Sequence, residues 1–168
     1  LTISGEGAMA NYYSSSSGAA PWKSHSSKLK KLVIEDGVTT IGNYAFYNCD
    51  GFTGSLVIPD SVTKIGSYAF YDCDKVKEVV IPSSVKKMGG AIFRSCANLE
   101  KVNIPYGFET LNMEMFGSCE NLDYLELPIT IKTSQLLAYS NAFSKISFCN
   151  FSPNKTTSNL TKFPHNGQ

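Results

Sequence analysis

Short apolar triplets recur along the chain at a nearly constant interval. The residues that close them, Ile34, Ile58, Ile81, Ile104 and Leu127, return about every 23 residues, and the first interval is one residue longer than the rest. Self-similarity at a period of roughly 20–50 residues marks a solenoid, in which each repeat buries its faces only by stacking on its neighbours. The pattern is fullest at Val76, Val79, Ile81, Pro82, Val85, Met88, Phe93 and Cys96. It returns as Leu56, Ile58, Pro59, Val62, Ile65, Phe70 and Cys73, and as Leu32, Ile34, Val38, Ile41, Phe46 and Cys49. A fourth copy reads Val102, Ile104, Pro105, Phe108, Leu111, Phe116 and Cys119.

Each repeat has two halves. Leu29-x-x-Leu32-x-Ile34 and Leu99-x-x-Val102-x-Ile104 end in strict alternation, which predicts a short strand, and strands one coil apart should form a parallel ladder. The second half holds Ile65, Ala69, Phe70 and Cys73, a spacing that fits one face of a short helix. Pro59, Pro82, Pro105 and Pro128 follow the strands directly and help turn the chain. Gly42, Gly66 and Gly89 precede the helical half, where tight turning is expected. One extra residue lies between Phe52 and Leu56, and Gly54 is expected to absorb it as a bulge.

Solenoid ends need caps. Residues 1–28 form the N-terminal capping segment: Leu1-Thr2-Ile3 adds a strand, Ser14–Ser17 is a loop, and Trp22 covers the open core. Residues 29–148 form the solenoid. Phe143-x-x-Ile146-x-Phe148 repeats the strand pattern, with Phe148 two residues short of a full interval after Leu127, and predicts a degenerate last coil. Residues 149–168 are a C-terminal cap or tail. The chain opens on Leu1 without a secretory leader, and the expectation is a mature or trimmed fragment.

Composition narrows function more than fold. A formal charge of +1 with interspersed Lys and Asp/Glu gives no basic patch for nucleic acid. The longest apolar runs are far too short for membrane insertion. Cys49, Cys73, Cys96 and Cys119 lie one coil apart and should form a ladder. Buried structural thiols are the favoured reading, because short cysteine pairs are missing and parallel side-chain vectors disfavour bridging. Disulfides and a metal stay open as alternatives. Cys149 lies off the ladder and has no assigned role. The two histidines, His25 and His165, fall in the cap and the tail, away from the ladder thiols. No phosphate loop, nucleophile elbow or HExxH is present, so neither catalytic residues nor a cofactor are expected. The sequons at Asn150, Asn154 and Asn159 would matter only in a eukaryotic secretory route.

The outer surface of the strands is the candidate site. Alternation points Val33, Val57, Val80, Asn103 and Glu126 outward in one column, and Lys31, Ser55, Glu78, Lys101 and Tyr124 in the next. Val33, Val57 and Val80 should lie side by side as an apolar stripe of the kind that marks interaction surfaces. Tyr44, Tyr47, Tyr68 and Tyr71 form a second candidate patch, which could equally shield neighbouring coils.

The segments Val80-Ile81-Pro82-Ser83-Ser84-Val85 and Ile65-Gly66-Ser67-Tyr68-Ala69-Phe70, with the Cys73 column, resemble the BspA-like leucine-rich repeat family. The resemblance implies an α/β solenoid: a right-handed leucine-rich-repeat superhelix of about five to six coils, with short parallel strands on one face and short helices or turns opposite. It also implies a non-enzymatic protein-binding or adhesion module at the cell surface or outside the cell. The partner would be a host or bacterial surface protein, with a glycan as alternative; a structural spacer is the other reading. Self-association is expected if coil ends are left open.

Overall fold

The computed structural model describes residues 1–128, 130–132, 147–151 and 159–160, the last two stretches as strand backbone. It is a parallel β-solenoid of about four turns with little helix. The strands are β1 (Thr2–Ile3), β2 (Gly7–Ala8), β3 (Val33–Ile34), β4 (Val38–Ile41), β5 (Gly54–Val57), β6 (Lys64–Ile65), β7 (Val76–Val80), β8 (Lys87–Met88), β9 (Lys101–Asn103), β10 (Tyr124–Pro128), β11 (Ser147–Phe151) and β12 (Asn159–Leu160). One face carries the expected ladder, in the order β5-β7-β9-β10-β11, closed by β12. All these pairs are parallel except β11 with β12.

The second half of the coil differs from expectation. Ile41 and Ile65 close short strands, β4 and β6, and with β2 and β8 these build a separate four-stranded parallel sheet. The expected short helices are absent among the described residues; the only helical elements there are 3-10 turns at Ser16–Gly18, Lys23–Lys28 and Met113–Phe116. The backbone amides explain why. Tyr44, Phe46 and Asn48 donate not within their own coil but to Ser67, Ala69 and Tyr71 of the next, at 3.0, 2.8 and 2.7 Å. Tyr68, Phe70 and Asp72 do the same to Gly90, Ile92 and Arg94. Tyr44, Asn48, Tyr68 and Asp72 adopt positive φ, between 53° and 58°, and such steps every fourth residue cannot propagate a right-handed helix.

The glycine column also has a different cause from the one expected. A Cβ on Gly42 would stand 1.8 Å from the Ala10 carbonyl oxygen, and on Gly66 2.5 Å from the Asn43 nitrogen. Glycine there lets adjacent coils approach. The prolines behave as turn residues: the carbonyls of Pro59, Pro82 and Pro128 each accept from an amide three residues on, at 3.1 Å.

Phenylalanines run through the centre of the stack. Phe46, Phe70, Phe93 and Phe116 lie with successive ring centroids 5.1, 5.7 and 6.1 Å apart and nearly parallel planes. Trp22 covers the N-terminal end of this column, stacked on Phe46 at 5.6 Å, and its indole N–H donates to the Ala45 carbonyl at 2.9 Å. Ahead of it, β1 pairs with β3 and β2 with β4, so the leading segment adds a strand to each face.

Two register details depart from the sequence reading. Phe148 pairs with Leu125, one full repeat earlier, so the strand ladder keeps its period rather than shortening at the last coil. The strands β3 and β5 are not paired: β1-β3 form a sheet of their own. The extra residue before Leu56 lies at this break, Gly54 takes φ +80°, and the register on β7 steps between Gly54 and Ser55. Leu136, Leu137, Tyr139, Phe143 and Ile146 lie outside the described residues.

Candidate functional site

The outer face of the strand ladder brings most of the expected residues together. Val57, Val80, Asn103 and Glu126 follow one another in register across β5, β7, β9 and β10. Ser55, Glu78, Lys101 and Tyr124 form the adjoining column. Inward neighbours Leu56, Val79, Val102 and Leu125 are buried, so the alternation holds across four strands.

The columns differ in character. In the second, Ser55 Oγ donates to Glu78 Oε2 at 3.2 Å, Lys101 Nζ sits 3.3 Å from Glu78 Oε1, and the same ammonium lies 5.3 Å from the Tyr124 ring centroid. Its charges therefore answer one another. In the first, Val57 is 63% exposed and Val80 44%. Asn103 is half-buried and turned to structural use: its Oδ1 accepts from the Ile81 amide at 2.9 Å and its Nδ2 donates to the Ile81 carbonyl at 3.0 Å. Glu126, also half-buried, has no ion pair among the described residues.

A groove of about 450 Å³ runs beside these columns, lined by Val80, Ile81, Ser83, Pro105, Tyr106, Glu126 and Pro128 among others. Tyr106 is 52% exposed and was not among the sequence candidates. The signal was present, because the residues after the four prolines are Asp60, Ser83, Tyr106 and Ile129, and Tyr106 is the one aromatic among them.

Val33 does not join the stripe. It sits half-buried on β3, across the ladder break from Val57, so the expected three-valine row is a pair. The break forms a separate groove of about 340 Å³ lined by Lys31, Val33, Phe52, Ser55, Val57 and Pro59 among others. The coils stay joined at one end of it, where the Thr53 amide donates to the Lys30 carbonyl at 3.1 Å.

The tyrosines form two short stacks. Tyr44 meets Tyr68 at 4.9 Å and Tyr47 meets Tyr71 at 5.0 Å, with interplanar angles of 11° and 18°. Their faces cover one another, and Lys23 Nζ donates to the carbonyls of Tyr47 and Asn48 beside them. Burial, with the nearby Tyr71, Asp72 and Tyr44, raises the Tyr47 pKa.

The cysteine ladder is inside and unbridged: Cys49, Cys73, Cys96 and Cys119 are free and buried. The thiols of Cys73, Cys96 and Cys119 donate to the carbonyls of Phe46, Phe70 and Phe93 at 3.2, 3.2 and 3.0 Å. Burial pushes the Cys49 and Cys119 thiols up to about 12, and raises Cys73 and Cys96 as well. Buried thiols with raised pKa values stay protonated at neutral pH, and the protonated form is a poor nucleophile. His25 lies exposed on the Lys23–Lys28 turn. Among the described residues no group of three or more His, Cys, Asp or Glu is arranged to hold a metal ion, and no helix is long and apolar enough to cross a membrane.

Parallel strands on a fixed period, a phenylalanine spine and an open outer strand face define a solenoid of the leucine-rich-repeat type. The chain belongs to the BspA type leucine rich repeat family, which it matches in six copies over residues 24–147. It is similar to a leucine-rich repeat protein from Bacteroides ovatus ATCC 8483, with a TM-score of 0.61 and 29% identity over 75% of this chain. The match spans 31% of the length of that protein. A looser likeness, TM-score 0.43 and 17% identity, joins 74% of the chain to 55% of a leucine rich cell surface protein from Faecalibacterium prausnitzii A2-165. Another, TM-score 0.38 and 14% identity, joins 89% of it to 79% of a leucine-rich repeat protein from Eubacterium ventriosum ATCC 27560. No curated protein matches the chain.

Proposed function

We propose that this chain is a non-catalytic, extracellular protein-binding module that docks a surface protein of a host or neighbouring bacterium on its outer strand face. The observation that carries this reading is where exposed apolar groups fall. Of the large hydrophobic side chains that the described residues expose, Val57, Val80 and Tyr106 belong to the strand ladder and its bordering loop, and only Tyr13 lies elsewhere. Exposed apolar groups gathered beside a groove favour an interaction surface. The test is a binding screen of the purified chain against matrix proteins, host receptors and glycans, run beside a Val57→Glu/Val80→Glu variant. A protein hit lost in that variant supports adhesion through this face; a hit that survives it sinks the reading.

Tyr106 supports a second reading. An exposed ring and the Glu126 carboxylate lining one groove offer what a sugar uses, a face for stacking and an acceptor for hydroxyls. A glycan hit lost on Tyr106→Ala but kept in the valine variant would favour it.

A further inference from the structure

The protein-binding reading leaves the partner's chemistry open. The first outward column narrows it, in an inference that rests on that reading. Across four strands the column presents Val57, Val80, Asn103 and Glu126. Asn103 is bound to the Ile81 backbone through both ends of its amide. The column therefore offers a partner two exposed apolar groups and, beyond them, one carboxylate with no ion pair among the described residues. The adjacent cation does not compete, because Lys101 is held by Glu78 and lies over the Tyr124 ring.

Spacing sets the form of the ligand. Neighbouring strands lie about 4.8 Å apart, so Val80 and Glu126, two strands apart, are separated by roughly 10 Å. A polyproline II segment returns to the same face every third residue, after about 9.3 Å. A β-extended segment returns every second residue, after about 6.7 Å, and falls short. Tyr106 borders the same groove beside Pro105 and Pro128, and an exposed aromatic ring is the side chain that polyproline II segments pack against.

We propose that this face takes a polyproline II segment of a partner protein carrying an apolar residue and a lysine or arginine three positions apart. The apolar side chain sits on Val80, with Val57 flanking it on the side away from Glu126, and the cation pairs with Glu126.

The experiment uses the whole chain and short synthetic Pro/Ala-rich peptides, titrated by fluorescence anisotropy at low salt. One peptide carries Val and Lys three positions apart. Others replace the Lys by Gln or Glu, or move it to two positions away. The Val/Lys peptide should bind about threefold tighter than its Gln counterpart, the scale of one exposed ion pair. That preference should disappear in Glu126→Gln, a surface change that leaves the fold intact, and should turn toward the Glu peptide in Glu126→Lys. Discrimination unchanged in Glu126→Gln, equal binding with Lys two positions away, or no binding of any peptide overturns the proposal. The protein screen separates the two failures. If a protein hit lost in Val57→Glu/Val80→Glu persists while the peptides stay silent, the ligand form is wrong and the docking face stands; if no such hit exists either, both fall.

Discussion

Phe70→Ala tests the phenylalanine spine where it has most to lose. Phe70 is 1% exposed and stacks on Phe46 at 5.1 Å and on Phe93 at 5.7 Å. Truncating a buried phenylalanine costs about 3–5 kcal/mol, part from lost transfer energy and part from the cavity left behind. The upper end is expected here. Two stacked partners lose their contact at once, each pair contributing roughly 0.5–1.5 kcal/mol beyond area. The neighbouring rungs are pinned by backbone bonds between coils, so the gap cannot collapse. Whole-protein stability is typically about 5–15 kcal/mol, so the variant could lose much of it. Phe70→Leu is the companion: it keeps most of the volume and forfeits the two ring pairs, about 1–3 kcal/mol. Urea unfolding followed by circular dichroism and by Trp22 fluorescence gives both values, because Trp22 reports the end of the same column. A loss below about 1 kcal/mol for Phe70→Ala would show that the rings are not the core.

The thiols give a pH prediction. Their pKa values are raised in the folded state, so the native protein holds protons that the unfolded chain releases above about pH 9; the thiols' contribution to stability should be flat below that and fall toward pH 12. The slope is about 1.4 kcal/mol per pH unit for each thiol, and Cys73→Ala should make the alkaline fall shallower by one such increment, read from urea midpoints between about pH 8 and 10. In the folded protein at about pH 8 the four ladder cysteines should resist iodoacetamide; rapid labelling of any of them, read by mass spectrometry, contradicts the packing. Asn103→Ala removes two hydrogen bonds to Ile81 and should cost about 1–3 kcal/mol, seen as a lower Tm. Hydrogen exchange should be faster over β5, which is paired on one side only, than over β7, paired on both; equal rates would mean that the ladder runs on to β3.

The inner columns were legible because period and chemistry agree. Phe46, Phe70, Phe93 and Phe116 recur with the repeat and stack, and the cysteines recur with them and are buried. Trp22 was legible as a cap because a large apolar residue just ahead of a solenoid has one open surface to cover. The second half of each coil was not. Ile65, Ala69, Phe70 and Cys73 all point inward, as a helix of that spacing would also have them. Hydrophobic spacing reports which side chains are buried and is silent on which carbonyl each amide finds. Here the amides bond the next coil, a choice set by stacking that no single repeat encodes.

The outer face shows the same division and explains why one residue in the first column misled. Alternation placed Val57, Val80 and Glu126 correctly, because a strand sends successive side chains to opposite faces whatever its neighbours do. Adjacency between strands is a separate matter, since it depends on equal spacing. The interval from Ile34 to Ile58 is one residue longer than the later ones, and it is there that the sheet divides. Val33 therefore alternates as expected but is not paired in register with Val57. The groove between β3 and β5 lies at this longer interval, and the register-paired valines of the stripe are the two beyond it, Val57 and Val80. Deleting Thr53 would make this interval equal to the others, and if the break has this cause, β3 and β5 should pair and exchange over β5 should slow to that of β7.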